Sequence, residues 1–206
     1  MLVTQAYRYA LDPTPRQQRA LASHCGAARR AFNWGLDLVK QGLDQRAAGH
    51  EVEVPWTLPA LRKEWNREKH QVPWWRENSK EAYNSGLDAL ARGLANWANS
   101  KAGRRKGPRV GFPTFKAKHR TRLSCRFTTG PIRVEPDRHH VTLPKIGRVR
   151  THESTRKLAR RVEHGNVNSK WLRCDGLVWP HPGRVVGSWP RRVAGRLARV
   201  GGGLGA

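Results

Sequence analysis

RVGFPTFKAKHRTRLSCRF, residues 109–127, is where the pattern of the chain changes. Upstream of it apolar residues recur every three or four positions. From Leu123 they recur every second one, Leu123, Cys125 and Phe127 alternating with Arg122, Ser124 and Arg126. A period of 3.6 belongs to helices and a period of 2 to strands, so the stretch separates a helical part from a sheet that buries one face and shows arginines on the other. The fold class expected is α+β, with a small, mostly antiparallel sheet or barrel after Leu123.

Working back toward the N-terminus, Leu2, Thr4, Ala6 and Arg8 alternate loosely with Val3, Gln5, Tyr7 and Tyr9, a strand ending at Asp12-Pro13. Thr14-Pro15-Arg16-Gln17 then supplies an N-cap, a proline at the first helical position and a capping-box glutamine. The helix it opens has an apolar face of Leu21, Cys25, Ala28, Phe32, Leu36, Val39 and Leu43. AAGHEVEVPW, residues 47–56, interrupts with Gly49 and Pro55, and a shorter helix follows from Leu58 to about His70 with Leu61 and Trp65 inward. Asn78 and Glu81 read as the capping pair of a third helix, whose face is Tyr83, Leu87, Leu90, Leu94 and Trp97. Between Ser100 and Pro113, Gly103, Gly107, Pro108 and Gly111 mark a basic loop.

Downstream, Ile132 with Val134, Val141 with Leu143, and Ile146 with Val149 predict short strands joined at Pro136-Asp137 and Pro144-Lys145. THESTRKLARRVEH, residues 151–164, returns to helical character. The last forty residues hold eight glycines, three tryptophans and one carboxylate, and no period persists there, so an irregular tail is expected from Val167. Such a composition also arises when GC-rich codons are read out of frame.

Charge points to the partner. The 206 residues carry 40 Lys+Arg against 15 Asp+Glu, a net charge of +25, and self-repulsion of that size calls for a polyanion. No acidic residue lies between Asp88 and Glu135. In that gap Arg104, Arg105, Lys106, Arg109, Lys116, Lys118, Arg120, Arg122 and Arg126 are the candidate nucleic-acid-binding residues, because each phosphate they neutralise releases condensed counterion. Phe112, Phe115 and Phe127 are interleaved with them; at helix or strand spacing such rings are more often core than platforms for bases. No run approaches the roughly 20 apolar residues of a membrane span, and MLVTQAYRYALD does not have the pattern of a signal peptide. The expectation is an intracellular, cytoplasmic protein with no membrane partner, nucleoid association being open.

Chemistry beyond binding is not legible. Metal-dependent nucleases need several converging carboxylates, whereas Glu51 and Glu53 flank Val52 in a linker and Glu135 and Asp137 bracket a proline. Asp175, in WLRCDGLVW, has no acidic residue after it. Cys25, Cys125 and Cys174 form no CxxC, and His119, His139, His140 and His152 have no ligand spacing to a cysteine pair. No catalytic residue, metal ligand or cofactor is therefore expected in the chain itself.

Taken in order, RRAFNWGLDL (29–38), PWWRENSKEAYNSGLDALARGLANW (73–97), RVGFPTFKAKHRTRLSCRF (109–127) and VTLPKIGRVR (141–150) resemble the N-terminal half of TnpB/OrfB-type transposon-encoded proteins. These are transposase-like, RNA-guided nucleases related to type V CRISPR effectors. The resemblance covers roughly residues 1–166. It implies a wedge-like β-barrel interrupted by an inserted helical lobe, the whole binding guide RNA and target DNA. Its domains would be the first barrel strand at 1–13, a helical, helix-turn-helix-like recognition lobe at 14–101, the rest of the barrel at 102–166 and the irregular tail at 167–206. The family's nuclease half carries RuvC-like carboxylates that use magnesium and a four-cysteine ribbon that holds structural zinc. RCDGL (173–177) does not match the opening motif of that half. The resemblance thus implies a truncated or frameshifted copy, not an enzyme as it stands, that binds RNA and DNA. An endonuclease completed by a separately supplied RuvC-like half and a stand-alone structural RNA-binding protein are the alternatives.

Overall fold

The computed structural model describes residues 6–163 and the strand backbones at 172–175 and 195–199. The start of the expected first strand, the side chains of Cys174 and Asp175, and most of the tail lie outside the described residues. Two compact units are formed, residues 26–121 and residues 1–25 with 122–206.

The helical unit contains most of α1 (Pro15–Ala47), together with α2 (Leu58–Glu68) and α3 (Lys80–Lys101). The spacing of apolar residues dictates its core: Phe32, Leu36 and Val39 from α1, Leu61 and Trp65 from α2, and Tyr83, Leu87, Leu90 and Leu94 from α3 share one buried cluster. Trp65 is its centre, edge-on to Trp34 at 5.0 Å and 5.1 Å from Tyr83 between ring centroids. The Trp34 indole N–H donates to Glu68 Oε2 at 3.0 Å, so the polar end of a half-buried ring is satisfied. Gly86 of α3 faces the backbone of α1, and a Cβ built there would stand 2.0 Å from the Ala28 carbonyl oxygen. Only glycine permits that approach.

Helix starts follow local chemistry, with one correction. Thr57 caps α2, its hydroxyl accepting from the Ala60 N–H at 3.4 Å. The cap of α3 is Ser79, not Asn78: Ser79 has the extended backbone of an N-cap and its hydroxyl accepts from the Glu81 N–H at 3.3 Å, while Asn78 is buried one residue earlier.

The other unit holds β1 (Ala6–Tyr9), β2 (Leu11–Asp12), the first turns of α1, β3 (Ser124–Phe127), β4 (Arg133–Val134), β5 (His140–Leu143), β6 (Gly147–Thr151), α4 (Arg156–Glu163), β7 (Leu172–Asp175) and β8 (Gly195–Arg199). The strands make two four-stranded antiparallel sheets, in the orders β1-β8-β7-β3 and β2-β6-β5-β4. The chain passes from one sheet to the other across Ala10. The closed barrel is therefore corrected: both strand orders are linear and both sheets open. The ends of the second sheet show why. Its edge strands are two residues long, β2 running into Pro13 and β4 lying between Pro131 and Pro136, and proline has no N–H to extend a ladder. The tail is corrected in part as well, since β7 and β8 fall where no period was visible and pair between β1 and β3.

The α1 start is the predicted capping box. Gln17 N–H donates to Thr14 Oγ1 at 3.4 Å and Thr14 N–H to Gln17 Oε1 at 3.0 Å, and Gln17 Nε2 also donates to the Arg148 carbonyl at 2.6 Å. Of the strand residues that alternation places inward, Cys125, Phe127, Val141, Leu143 and Val149 are buried, and Leu123, Ile132, Val134 and Ile146 are half-buried.

His24, on α1, is buried too, with Nδ1–H donating to the Ala20 carbonyl at 2.7 Å and its ring 5.4 Å from that of Phe127. Burial, aided by Lys145, pushes its pKa below 6.5, against the opposing effect of the Ala20 bond. The unfolded chain then binds a proton that the folded chain refuses. Stability from this group is complete above about pH 6.5 and declines as pH falls toward the folded pKa, by at most ~1.4 kcal/mol per pH unit. Thermal melts at pH 7 and pH 5 are expected to show a lower Tm in acid, and His24→Leu to flatten that difference; an unchanged slope in the variant would place the titration elsewhere.

Candidate nucleic-acid interface

Within the helical unit, the chain from Ala102 to Thr121 is an extended strap with anchors at several points. Left-handed turns at Gly103 (φ 68°) and Gly107 (φ 102°) redirect it after α3, conformations that favour glycine. Val110 N–H donates to Ser100 Oγ at 2.9 Å. Phe112 then packs edge-on against Trp97 at 5.1 Å, and Pro113 lies over Gly93. The last anchor is a two-point clamp: Asn33 Nδ2 donates to the Lys116 carbonyl at 3.1 Å and Asn33 Oδ1 accepts from the Lys116 N–H at 2.8 Å. An amide side chain is suited to this because it carries both a donor and an acceptor.

Between and beyond these anchors stand the charges. Arg104, Arg105, Lys106, Arg109, Lys118 and Arg120 are exposed, and Lys116 is half-buried with its ammonium 3.8 Å from the Phe32 ring centroid. Arg122, exposed, and Arg126, half-buried on β3 between Cys125 and Phe127, belong to the sheet unit. The nine candidate residues are thus divided, with seven on the strap and two in the sheet unit.

Three arginines of the sheet unit already lie beside carboxylates. Arg148 pairs with Asp137, Arg150 lies 3.8 Å from Asp12, and Arg133 lies 3.9 Å from Glu135. Among the described residues, Arg104, Arg105, Lys106, Arg109, Lys118 and Arg120 have no carboxylate partner. Holding like charges on an anchored backbone is unfavourable until an anion arrives, and the anchors have already met the ordering cost of the segment.

Asp137 and His140 of the sheet unit have a structural explanation. Asp137 accepts from the His139 N–H at 2.9 Å, from His140 Nδ1 at 2.6 Å and from Arg148, holding a turn in which Arg138 has φ 64°. The His139 N–H, with Arg148 and His140 adding to it, holds the Asp137 carboxyl well below the usual range. Among the described residues no three His, Cys, Asp or Glu side chains are grouped to hold a metal ion. Cys25 and Cys125 are buried.

Sequence reading missed the residues that organise the strap. Asn33 sits in RRAFNWGLDL beside the core residue Phe32, and a polar residue flanked by Phe and Trp was the available signal; its partner is 83 positions away. The clamp gives a direct prediction. Asn33→Ala removes both of these hydrogen bonds to the Lys116 backbone, at a cost of about 1–3 kcal/mol. Amide exchange at Lys116 is expected to accelerate while that of the α3 core stays slow; equal protection in variant and parent would remove the clamp from the account.

A family described as a helix-turn-helix domain, of the OrfB_IS605 type, matches residues 1–47. Within the described part of that match the chain forms β1, β2 and an unbroken α1. Two curated proteins of Mycobacterium tuberculosis, from strains CDC 1551 / Oshkosh and ATCC 25618 / H37Rv, are each 43% identical over 210 residues and each is named "Putative RNA-guided DNA endonuclease". The match covers 96% of this chain and 45% of each relative, so the chain spans about half the length of the curated relatives it matches. The anchored motifs at 29–38, 73–97 and 109–127, the helix-turn-helix match and the identity along nearly the whole chain agree, and the protein belongs to the TnpB/OrfB-type family of transposon-encoded proteins.

Proposed function

We propose that this chain is the nucleic-acid-binding part of a TnpB/OrfB-type system, gripping guide-like RNA and its DNA partner through phosphate contacts and cutting neither strand by itself. The observation that carries this reading is the strap: an anchored backbone bearing Arg104, Arg105, Lys106, Arg109, Lys118 and Arg120, which no carboxylate among the described residues compensates. Phosphates along a strand answer such a row, and shape rather than base identity decides the fit. On this reading the helical unit is the inserted recognition lobe and the sheet unit its wedge-like companion. The relatives' name supports the wider role, with magnesium-dependent cleavage belonging to sequence outside the half they share with this chain. The aligned share also runs into the Gly- and Arg-rich tail, which supports reading that tail as family sequence rather than an out-of-frame product. No helix among the described residues is long and apolar enough to cross a membrane, in keeping with a cytoplasmic site of action.

Titrating labelled single-stranded RNA, RNA–DNA heteroduplex and duplex DNA at several salt concentrations tests the proposal. Affinity is expected to fall linearly on a log–log plot, steeper by about 0.7 (single strand) to 0.9 (duplex) for each phosphate contacted, and magnesium is expected to leave every substrate intact. Salt-independent or absent binding would reject it, and cleavage by the purified chain would transfer it to the endonuclease reading.

A further inference from the structure

Phe112, Phe115 and Phe127 are interleaved with the same charges in sequence, but the fold gives them different fates. Phe127 is fully buried under the sheet and Phe112 is packed against Trp97. Phe115 is 49% exposed, the one large hydrophobic side chain so exposed among the described residues. It is not on a loose loop tip. The next residue, Lys116, is fixed through both its N–H and its carbonyl by Asn33, so the backbone that carries the ring is held on α1.

The surroundings of the ring are selective. The Lys40 ammonium lies 4.8 Å from its centroid, and Lys118 stands exposed three residues on. A protein partner with an apolar pocket would have to desolvate these ammonium groups. A nucleotide would not: its base has a flat π-face to lay on the ring, and its phosphate meets the cations beside it. Resting on the reading of the strap as a phosphate-binding surface, we infer that Phe115 is a stacking platform for one unpaired nucleobase, with Lys40 and Lys118 holding the flanking phosphates. A paired base cannot reach it, because both its faces are covered within a duplex, so the site selects single-stranded segments.

Three proteins (parent, Phe115→Ala and Phe115→Trp) and four short ligands test this: single-stranded RNA, single-stranded DNA of the same sequence, the corresponding duplex, and an abasic phosphodiester of equal charge. Phe115→Ala is expected to weaken binding of both base-bearing single strands roughly 5- to 100-fold while leaving the salt slope unchanged, and Phe115→Trp to restore it. Duplex and abasic ligands are expected to bind parent and Phe115→Ala alike, and the RNA-to-DNA ratio in the parent tells which source of base the site prefers. Melting curves matched to the parent show that the variants are folded, as removal of an exposed ring should allow. If Phe115→Ala weakens the abasic ligand as much as the base-bearing ones, or weakens none, the platform is wrong while the phosphate-binding strap stands. If the parent binds no ligand at all, both the strap's function and the platform fall.

Discussion

Gly86→Ala is expected to lower the melting temperature of the helical unit by roughly 12–24 °C, the largest effect of an added methyl group among the described glycines. The added Cβ would stand 2.0 Å from the Ala28 carbonyl oxygen and 2.9 Å from its carbon, both backbone atoms of α1. A side chain can turn away from such an intrusion; a helix backbone has to move as a whole. Separating α1 from α3 also opens the packing of the shared core, so the cost lies at the upper end of overpacking, about 3 kcal/mol. At 4–8 °C per kcal/mol for a unit of this size, the expected shift follows. Two further glycines calibrate the measurement. A Cβ at Gly35 would meet the tip of Leu90 at 2.9 Å, a flexible end, and a smaller loss is expected. Gly26 has nothing within 4 Å, so Gly26→Ala is expected to stabilise by about 0.5–1 kcal/mol through helix propensity alone. Should Gly86→Ala melt within two or three degrees of the parent, as ~0.5 kcal/mol or less would imply, the helices are further apart than described.

Replacing Arg104, Arg105 and Arg109 together by Ala is expected to weaken single-stranded RNA binding about 30- to 100-fold at physiological salt and to reduce the salt slope by about 2. The informative comparison is a second triple, Arg133→Ala, Arg148→Ala and Arg150→Ala, which removes the same formal charge. Those arginines already lie beside Glu135, Asp137 and Asp12. If net charge alone attracted the polyanion, both triples would lose affinity equally. If an anchored row of uncompensated charge is the interface, the strap triple loses far more. Equal losses would leave only the general field of a +25 protein as the cause.

Much of the helical unit was legible because its signals are local. A threonine, a proline and a glutamine within four residues start α1, and steps of three and four name the residues that α1, α2 and α3 bury. The alternation at 123–127 identified β3 and its inward side in the same way. Legibility failed where the partner of a group is remote. The cap of α3 moved by one residue because Asn and Ser are both good caps and backbone geometry chose between them. β7 and β8 show no period of their own, and what makes them strands is pairing with β3 and β1. The second sheet departs from the implied barrel because prolines beside both of its edge strands end the ladders, a consequence visible only once the strand order is known.

The candidate interface divides along the same line. Its charge, its lack of carboxylates and its glycine-rich course are properties of residue types, and the amino-acid sequence alone determined them. It also determined the α+β class and the family, since both rest on patterns that neighbouring residues carry. Only the tertiary structure decided which of three similar phenylalanines reaches solvent, which arginines are already paired, and that Asn33 holds a backbone 83 positions away. Those outcomes depend on what each group meets in space, and burial and pairing are energies of contact that no single residue possesses by itself.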